Sequence, residues 1–544
     1  MFRAIKLYLN TVRHLKPSQI FYRIKRKIFR EKVNFLKFKV IERPYHWKSY
    51  QVYKEKINTK NESNFLNKKK LLKLPNDWSE GNSKLWLYNL HYFDDLNSEN
   101  CDIKKEFHQE LIKNWISHNK NLNTIGWEPY PTSIRLVNFI KAWLSGFDFD
   151  DEIVGSIHQQ AQYLRKNLEK DILANHYFSN IKALLFYSCM FDHEKFFNFS
   201  LKEITREIDE QVLDDGGNYE RSPMYHLLFL VDLLDIYNLL NSFSEKINQE
   251  KIIHLQRVIK KMIFFSELIL HDGDISHFND SVEGIAPQYK KIIGYAEKLG
   301  IVCSNQNKEI LSDLKSTGFF VGKCRDLKII YDAGNIGPSY QPGHSHAQSL
   351  SFELSYKGKK VFVNSGISEY ENSKVRFFQR STASHNTVEI NSMNSSEVWH
   401  SFRVARRAKV YNRCSGYLEN EKMYYFKASH NGYSTTFNKV DHIRKILFND
   451  QNFFLEDTVL GKCKNICSRI YLHPEIKINS EINGNNLFLI SDDFEISCKF
   501  INAEYEIINS NYFSSFGKIE NNKCIKIMPT NAKFNCKFNF INLK

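Results

Sequence analysis

Two polar segments of the sequence carry side chains suited to acid–base chemistry. Asn175 and His176 begin the segment NHYFSNIKALLF, and the segment DDGGNYERSPMYH contains Glu220, Arg221 and Tyr225. Asn favours a helix start, and a Gly pair followed by Pro indicates a turn that enters a helix. Both segments are therefore predicted as loops leading into helices, although simple helix caps with an ordinary ion pair would look the same. An amide, an imidazole and a phenol can together stabilise negative charge and transfer protons.

Histidines mark several polar segments in the second half of the chain. His344 and His346 lie in GHSHAQ, before the run SLSFEL, while Arg380 and His385 lie in RSTASHNTVEIN. Asn364 follows the run KVFV. Histidine is both a common metal ligand and a proton carrier at neutral pH. The pattern indicates a site on the first strands of a β-rich region, and two packed histidines would give the same pattern.

Hydrophobic periodicity assigns these segments to two kinds of structure. From about residue 105 to 300 apolar residues recur at helical spacing, as in the run from Ile153 through Ile157 to Leu164, which Asp150 or Asp151 is predicted to cap. After about residue 315 short alternating runs rich in β-branched and aromatic residues predominate, as in strands. We predict a basic arm over 1–75, a helical domain over 76–312 and an antiparallel β-sandwich over 318–544, with the boundary near 305–318.

Composition restricts the partners of the chain without choosing one. The 544 residues carry a formal net charge of +15, which favours nucleic acid, anionic lipid or an acidic polysaccharide, although a Lys-rich genome would also produce it. No helix-turn-helix, RNP or zinc-finger pattern occurs, so nucleic acid fits the charge alone. No run of 18 apolar residues is present, so no transmembrane segment is predicted. The sequence does not indicate an oligomeric state.

Cysteines and the N-terminus bear on the compartment. The ten cysteines include no C-x-x-C pair and several lie in apolar contexts, which indicates buried free thiols in a reducing compartment. The first residues lack the apolar core of a signal peptide, so a cytoplasmic protein is expected, with the periplasm or cell envelope as the alternative. The arm is expected to pack on the helical domain; a basic amphipathic helix on a membrane surface is the alternative.

Six segments, which follow one another in the family's own order, resemble one enzyme family. The segments WEPYP, NHYFSNIKALLF, DDGGNYERSPMYH, GHSHAQSLSFEL, VNSGISEYE and RSTASHNTVEIN resemble the signatures of heparinase II/III-like polysaccharide lyases and lie within roughly residues 85–410. The segments LWLYNLHYFDDL and GWEPYPTSIRL resemble the branch found in bacterial capsule and exopolysaccharide clusters. The resemblance implies an incomplete (α/α) toroid followed by a β-sandwich.

The resemblance also implies a reaction and roles for individual residues. Members of the family cleave uronic-acid polysaccharides by β-elimination, which requires a neutralised carboxylate, a base and an acid. Asn175 and His176 match the residues that bind the carboxylate, Tyr225 matches the acid that in some members is also the base, and His344 matches the second base. Arg221 is the candidate cation that would help Tyr225 to ionise. The expected substrate-binding residues are Trp127, Tyr130, Glu220, Arg221 and Arg380.

A structural zinc site is implied with one altered ligand. His346 and His385 match two family ligands, but Asn364 stands where the family has Asp. A neutral amide is a weaker zinc ligand than a carboxylate, so zinc is predicted to bind weakly or not at all.

Two other functions remain open at this point. The altered metal ligand suits a polysaccharide-binding or scaffolding protein that has lost activity. A hydrolase with paired carboxylates is also possible, because Asp214, Asp215 and Glu220 lie together in the sequence. The expected partner in each case is an acidic polysaccharide or oligosaccharide and not nucleic acid.

Overall fold

The chain folds into a helix-rich first part and a strand-rich second part. A computed structural model describes residues 2–28, 39–302, 309–435, 438–480 and 487–543. The predicted boundary at 305–318 begins within residues 303–308, which lie outside the described residues. Cys303 also lies outside them. The helices are α1 (Phe2–Val12), α2 (Pro17–Ile28), α3 (Lys84–Tyr92), α4 (Lys105–His118), α5 (Pro129–Leu144), α6 (Asp151–Lys166), α7 (Ala174–Met190), α8 (Glu194–Gln211), α9 (Pro223–Ser242), α10 (Gln249–Ile269), α11 (Tyr289–Lys298) and α12 (Lys374–Gln379).

The helical part forms as the periodicity predicts. In α6 the Asp150 side chain accepts a hydrogen bond from the Ile153 N–H at 3.1 Å, so Asp150 is the cap. The apolar face that begins with Ile153 and ends with Leu164 is buried in the core. Helix α5 packs on α7, α7 on α8, and α9 on α10, as in a toroid of paired helices. Helix α9 is long and apolar enough to span a membrane, but 83% of its apolar 18-residue stretch is buried inside the protein, as in a core helix.

The predicted N-terminal arm contains secondary structure that the sequence analysis did not assign. Helices α1 and α2 form residues 2–28, and a short hairpin of β1 (Glu62–Phe65) and β2 (Lys68–Leu71) follows. Two further short strands lie after α10: β3 (Leu270–His271) and β4 (Asp274–Ile275). Apolar residues recur at helical spacing in α1 and α2, but many of them, such as Leu9 and Phe21, are exposed.

Three antiparallel sheets make up most of the strand-rich part. The first, of order β5-β6-β7-β8-β9, leads to the four-stranded sheet β10-β17-β22-β21 and the eight-stranded sheet β13-β14-β15-β16-β23-β20-β19-β18. The strands are β5 (Leu311–Leu314), β6 (Phe319–Cys324), β7 (Leu327–Asp332), β8 (Phe352–Tyr356), β9 (Lys359–Phe362), β10 (Val388–Ile390), β11 (Val398–Trp399), β12 (Arg403–Val404), β13 (Val410–Leu418), β14 (Met423–His430), β15 (Asp441–Phe448), β16 (Asn452–Leu460), β17 (Ile466–Tyr471), β18 (Lys477–Ser480), β19 (Leu487–Ile490), β20 (Phe494–Ile501), β21 (Ala503–Tyr512), β22 (Glu520–Pro529) and β23 (Lys533–Asn542).

Residues of all three sheets pack into one apolar core, which holds the sheets against one another. In β16 every second residue is buried, and Leu455 of that strand pairs in register with Ile446 of β15. Phe320 of β6 joins these residues in the core, together with Ile470 of β17 and Ile525 of β22. The predicted fold class, a toroid followed by a β-sandwich, is confirmed. The nine described cysteines are free thiols.

Candidate active site

One cavity of about 950 Å³ lies where the helical part, the strand-rich part and the N-terminal arm meet. Its wall includes all four residues to which the sequence analysis gave catalytic roles, although they lie on separate elements. They are Asn175, His176, Tyr225 and His344. Tyr130, one of the predicted substrate-binding residues, lies on the same wall. The fold thus brings these five side chains together, as a site between domains requires.

Asn175 and His176 lie in the first turn of α7. The two residues before them, Leu173 and Ala174, have positive φ values of 66° and 52°, a strained conformation that redirects the chain into the helix. His176 Nδ1–H donates to Glu169 Oε1 at 3.0 Å, and its ring lies 4.4 Å from that of Tyr130. Burial alone would lower the pKa of His176, but the Glu169 carboxylate raises it above its usual value. His176 is therefore suited to be a cation beside Asn175.

Tyr225 lies in the first turn of α9, where the Ser222 hydroxyl accepts from its N–H at 3.2 Å. Its own hydroxyl lies 3.1 Å from the hydroxyl of Tyr370, and its ring lies 4.0 Å from the His344 ring. Burial, and after it Tyr370, raise the pKa of Tyr225 well above its usual value. Tyr225 is a neutral phenol in this state and is suited to donate a proton.

His344 is oriented by a buried carboxylate that the sequence analysis missed. His344 Nδ1–H donates to Asp280 Oδ2 at 2.9 Å, so its Nε2 carries the lone pair and can accept a proton. Arg376 grips the same carboxylate with two hydrogen bonds of 2.5 and 2.7 Å. Burial alone would raise the pKa of Asp280, but Arg376 first, then His344 and His346, hold it well below its usual range. Asp280 is therefore an ionised anchor for His344.

The predicted metal ligands lie behind this anchor. His346 Nε2 contacts Asp280 Oδ1 at 2.8 Å, and His346 Nδ1 lies 3.2 Å from His385 Nε2. Asn364 Oδ1 accepts from the N–H of Asn386, the neighbour of His385, and Asn364 Nδ2 is buried without a partner in the described part of the chain. No cluster of three His, Cys, Asp or Glu side chains suited to a metal was found within the described ranges. Two imidazoles and a neutral amide fit only a weakly held zinc ion.

Two of the predicted substrate-binding residues lie in the core, and that prediction is corrected. Trp127 is 3% exposed, and its indole N–H donates to the Asn119 carbonyl. Arg380 is fully buried, and its guanidinium donates to the carbonyls of Ser345 and His400 at 2.8 Å each. Both side chains stabilise the loops that carry the site and do not line the cavity.

Glu220 and Arg221 also lie off the cavity wall. Glu220 is buried, and burial raises its pKa above the usual value. Arg221 faces the carboxylates of Asp332 and Asp215, and burial lowers its pKa. The Arg221 guanidinium donates to the Ser316 carbonyl at 3.4 Å, and burial followed by Tyr370 raises the pKa of Tyr225 instead of lowering it. The predicted role of Arg221 as the cation that ionises this phenol is therefore corrected as well.

The cavity wall has a composition that the motifs did not indicate. Eight tyrosines lie on it, including Tyr370, which lies within the motif VNSGISEYE but was given no role there. Five Lys or Arg side chains line the cavity against two carboxylates, Asp94 and Glu371. Lysine and arginine are common throughout this sequence, so no local pattern could have singled these five out.

Comparison with known protein families gives the same division of the chain into two parts. Family models match residues 86–299 as heparinase II/III N-terminus and 307–540 as heparinase II/III-like, C-terminal. The heparin-sulfate lyase of Bacteroides thetaiotaomicron is 23% identical over 343 residues, which cover 52% of this chain and 48% of that protein. The heparin-sulfate lyase of Pedobacter heparinus is 23% identical over 372 residues, covering 60% and 50%. The chain thus spans about half the length of the curated relatives it matches.

Solved structures show the fold. A crystal structure of heparinase III has a TM-score of 0.70 at 15% identity, covering 97% of this chain and 89% of that one. Heparan sulfate lyase from Pedobacter heparinus has a TM-score of 0.57 at 16% identity, covering 85% and 78%. Together with the two family models, which match most of the sequence, this shows that the chain belongs to the heparinase II/III-like family.

Proposed function

We propose that this protein is a polysaccharide lyase that cleaves a uronic-acid-containing acidic polysaccharide by β-elimination. The observation that carries the proposal is the meeting of Asn175, His176, Tyr225 and His344 on one cavity wall. Membership of the family supports the reaction class, and the excess of cationic over anionic side chains on the wall supports an acidic substrate. A role in bacterial capsule or exopolysaccharide metabolism is part of the same proposal, supported by the segments that resemble that branch.

The first requirement of the reaction is a neutralised carboxylate, because this makes the C5 proton of the uronic acid acidic. In the proposed mechanism the Asn175 amide and the cationic His176 bind the carboxylate at the start of α7. Charge builds on that group as the proton leaves, so donors fixed in advance stabilise the transition state more than the ground state. Glu169 raises the pKa of His176 and so favours its cationic form.

Proton transfer is assigned to the other two residues. His344 Nε2 takes the C5 proton, the electron pair forms the C4–C5 double bond, and the C4–O bond breaks. The Tyr225 hydroxyl protonates the leaving oxygen, and its transient phenolate accepts a hydrogen bond from Tyr370 at 3.1 Å. The His344 and Tyr225 rings lie 4.0 Å apart, so the proton on His344 can return to Tyr225 and restore both groups.

A zinc ion is kept in the proposal only as a structural group. His346 and His385, with the Asn364 amide, would hold the ion, and its positive charge would fix the orientation of the two rings. His346 in turn holds Asp280, which orients His344. The side chains named above carry every proton transfer in the mechanism.

The test is a screen of uronate polymers for the ultraviolet absorbance of an unsaturated product. We expect the wild-type protein to produce this absorbance on at least one polymer, and Asn175→Ala to lose it. A reducing-end assay without new absorbance would indicate hydrolysis and overturn the proposal. Polymer binding without any product would favour the scaffolding function, to which the Asn364 substitution lends support.

A further inference from the structure

The N-terminal arm forms one end of the cavity. In α1, Tyr8, Thr11 and Val12 line the same cavity as the proposed catalytic residues. The Trp399 indole N–H donates to Thr11 Oγ1 at 3.1 Å, and the Trp399 ring lies 4.9 Å from that of Tyr8. The arm is thus docked on the strand-rich part at the edge of the site.

The same arm is also tied to the helical part. Lys16 forms an ion pair with Glu210, which accepts a second hydrogen bond from the Tyr340 hydroxyl at 2.7 Å. Arg26 lies 3.1 Å from Asp171, whose side chain is only 2% exposed. The arm therefore bridges the two parts across the cavity.

Cationic side chains from the arm and from the strand-rich part meet at this end. We call Arg13, His14, Arg403 and Arg407 the arm cluster. Arg403 and Arg407 line the cavity. Burial first, and then the charge of Arg13, lower the pKa of Arg407 to about 10. Burial, then Arg407 and Arg13, likewise lower the pKa of His14. Arg13 Nε lies 3.3 Å from His14 Nε2, and the Arg403 guanidinium lies 5.4 Å from the Tyr8 ring of α1.

The arm cluster has no anionic partner among the residues that the structure describes. Neither Arg403 nor Arg407 has a carboxylate within the 4.0 Å of an ion pair, whereas Arg376 and Arg444 each bind one. Arg407 donates once, to the Ser339 carbonyl at 2.7 Å, and its Nε is buried without a partner. The Arg403 guanidinium lies 4.8 Å from the Trp399 ring, and its N–H groups have no hydrogen-bond partner among the described residues.

We propose that Arg403 and Arg407, with Arg13 of the arm, form a subsite at the arm end of the cavity for an anionic group, a carboxylate or a sulfate, of the bound polysaccharide. The ligand follows from the proposed function, since the substrate is an acidic polysaccharide. Arginine matches both groups through paired hydrogen bonds, and an anion would relieve the repulsion within the cluster. Phe402, next to Arg403 in the sequence, lines the same cavity and lies 6.0 Å from the His344 ring, so one bound chain can reach both the subsite and the proposed base.

The proposal makes the arm part of the binding site. Because Arg13 belongs to the arm and Arg407 to the strand-rich part, an anion between them links the two. Binding of the anion is therefore expected to strengthen docking of the arm, and loss of the cluster is expected to weaken substrate binding more than turnover.

The test compares Arg403→Gln and Arg407→Gln with the control Arg257→Gln. Arg257 is exposed on α10, away from the cavity, and its replacement removes the same charge. The first measurement is the unfolding temperature in sodium sulfate against sodium chloride at equal ionic strength, which needs no activity. We expect sulfate to stabilise the wild type and the control more than either cluster variant.

The second measurement is KM on uronate oligosaccharides with and without sulfate. We expect KM to rise about tenfold or more in each cluster variant, as for loss of a charge-assisted hydrogen bond, with a smaller change in kcat. A rise on sulfated oligosaccharides only would identify sulfate as the ligand, and a rise on both would identify the carboxylate.

Two results would overturn the subsite. One is equal stabilisation by sulfate in all four proteins, and the other is an unchanged KM in both cluster variants. If sulfate stabilises the wild type selectively while no uronate polymer is cleaved, the subsite stands and the proposed lyase activity fails.

Discussion

Two buried clusters in this molecule have the same four residue types and nearly the same geometry. In each, an Arg binds an Asp with two hydrogen bonds, the Asp binds a His, and that His lies 3.2 Å from a second His. The site cluster, beside the cavity, is Arg376, Asp280, His346 and His385. The scaffold cluster, on three neighbouring strands of the eight-stranded sheet, is Arg444, Asp457, His442 and His430.

In the scaffold cluster every histidine ring nitrogen has a suitable hydrogen-bond partner. The N–H of Gly432 donates to His430 Nδ1 at 3.0 Å, so His430 carries its proton on Nε2 and donates it to His442 Nδ1. His442 Nε2–H then donates to Asp457 Oδ1 at 2.7 Å. Every ring nitrogen has one partner of the correct kind, and neither ring needs a charge. This cluster stabilises the sheet and nothing more is required of it.

The site cluster differs in the partner of its last ring. His385 Nδ1 faces the Ser381 carbonyl at 2.7 Å and must donate, which leaves a lone pair on Nε2. His346 Nε2 must donate to Asp280, which leaves a lone pair on Nδ1. Two lone pairs thus face each other, and a proton or a metal ion is needed between them. Asp280 also holds a third ring, His344, which reaches the cavity. One carbonyl in place of an N–H, and one added His, distinguish the site cluster from the scaffold cluster.

The largest difference in kcat between the two regions is expected when one tyrosine hydroxyl is removed. Tyr225→Phe should lower kcat about a hundredfold to ten-thousandfold with little change in binding, because the hydroxyl acts only as the C4–O bond breaks. The matched control is Tyr433→Phe, since Tyr433 lies beside His430 and donates to the Val388 carbonyl. The measurement is kcat and KM on whichever polymer the wild type cleaves. Turnover of Tyr225→Phe within a few-fold of wild type would remove this residue from the mechanism.

The next effect compares the two carboxylates. Asp280→Asn and Asp457→Asn each break a buried ion pair, so each should cost about 3–5 kcal/mol of unfolding free energy. Only Asp280→Asn should also lower kcat, on the order of tenfold to a hundredfold, because an amide no longer fixes the proton on His344 Nδ1. Chemical denaturation and kcat per folded molecule separate the two contributions. Equal kcat in both variants would show that Asp280 has no part in positioning His344.

The comparison also shows why the sequence predicted one part of this site and missed another. Helical and alternating periodicities are strong over long segments, so the helix-rich and strand-rich parts were predictable, and ordered motifs indicated Asn175 and His344. Asp280 lies in the short polar segment HFNDSV, which contains no periodicity and no motif. Its role arises only when the fold brings Arg376 and two histidines to it from 64 or more positions away.

Two wrong assignments have the same physical origin. Trp127 and Arg380 lie in motifs beside residues that do reach the cavity, and their types suit sugar stacking and anion binding. An aromatic ring or a guanidinium can equally pack in a core when carbonyls satisfy its N–H groups, as Asn119, Ser345 and His400 do here. Only the direction of the side chain distinguishes the two uses, and residue type does not encode it.

Metal binding gives a smaller and more selective difference. We expect zinc to bind between His346 and His385 and to be removed by a mild chelator, because Asn364 supplies no charge. Asn364→Asp should retain more zinc under the same chelator. His385→Ala should abolish binding, and His430→Ala should leave it unchanged since its ring pair is complete. Elemental analysis after chelation measures all four proteins, and zinc retained at wild-type levels in His385→Ala would place the ion elsewhere.

The smallest effect concerns a third pairing of a carboxylate with a His, at the open side of the site. Glu169 raises the pKa of His176 above its ordinary value of about 6.5, whereas burial alone would lower it. A raised pKa means that the cation, and the stability it adds, is fully present below the unfolded value and is lost as pH rises through the folded one. If cationic His176 binds the uronate carboxylate, KM should therefore increase as pH rises above about 6.5. In Glu169→Gln the burial effect remains without the carboxylate, so the same increase in KM should begin at lower pH.

The control is Glu152→Gln, which changes the same charge at an exposed position on α6. The experiment is KM against pH for the three proteins, with the His176 ring followed by NMR. Identical curves for Glu169→Gln and the wild type would mean that Glu169 does not control the charge that meets the substrate.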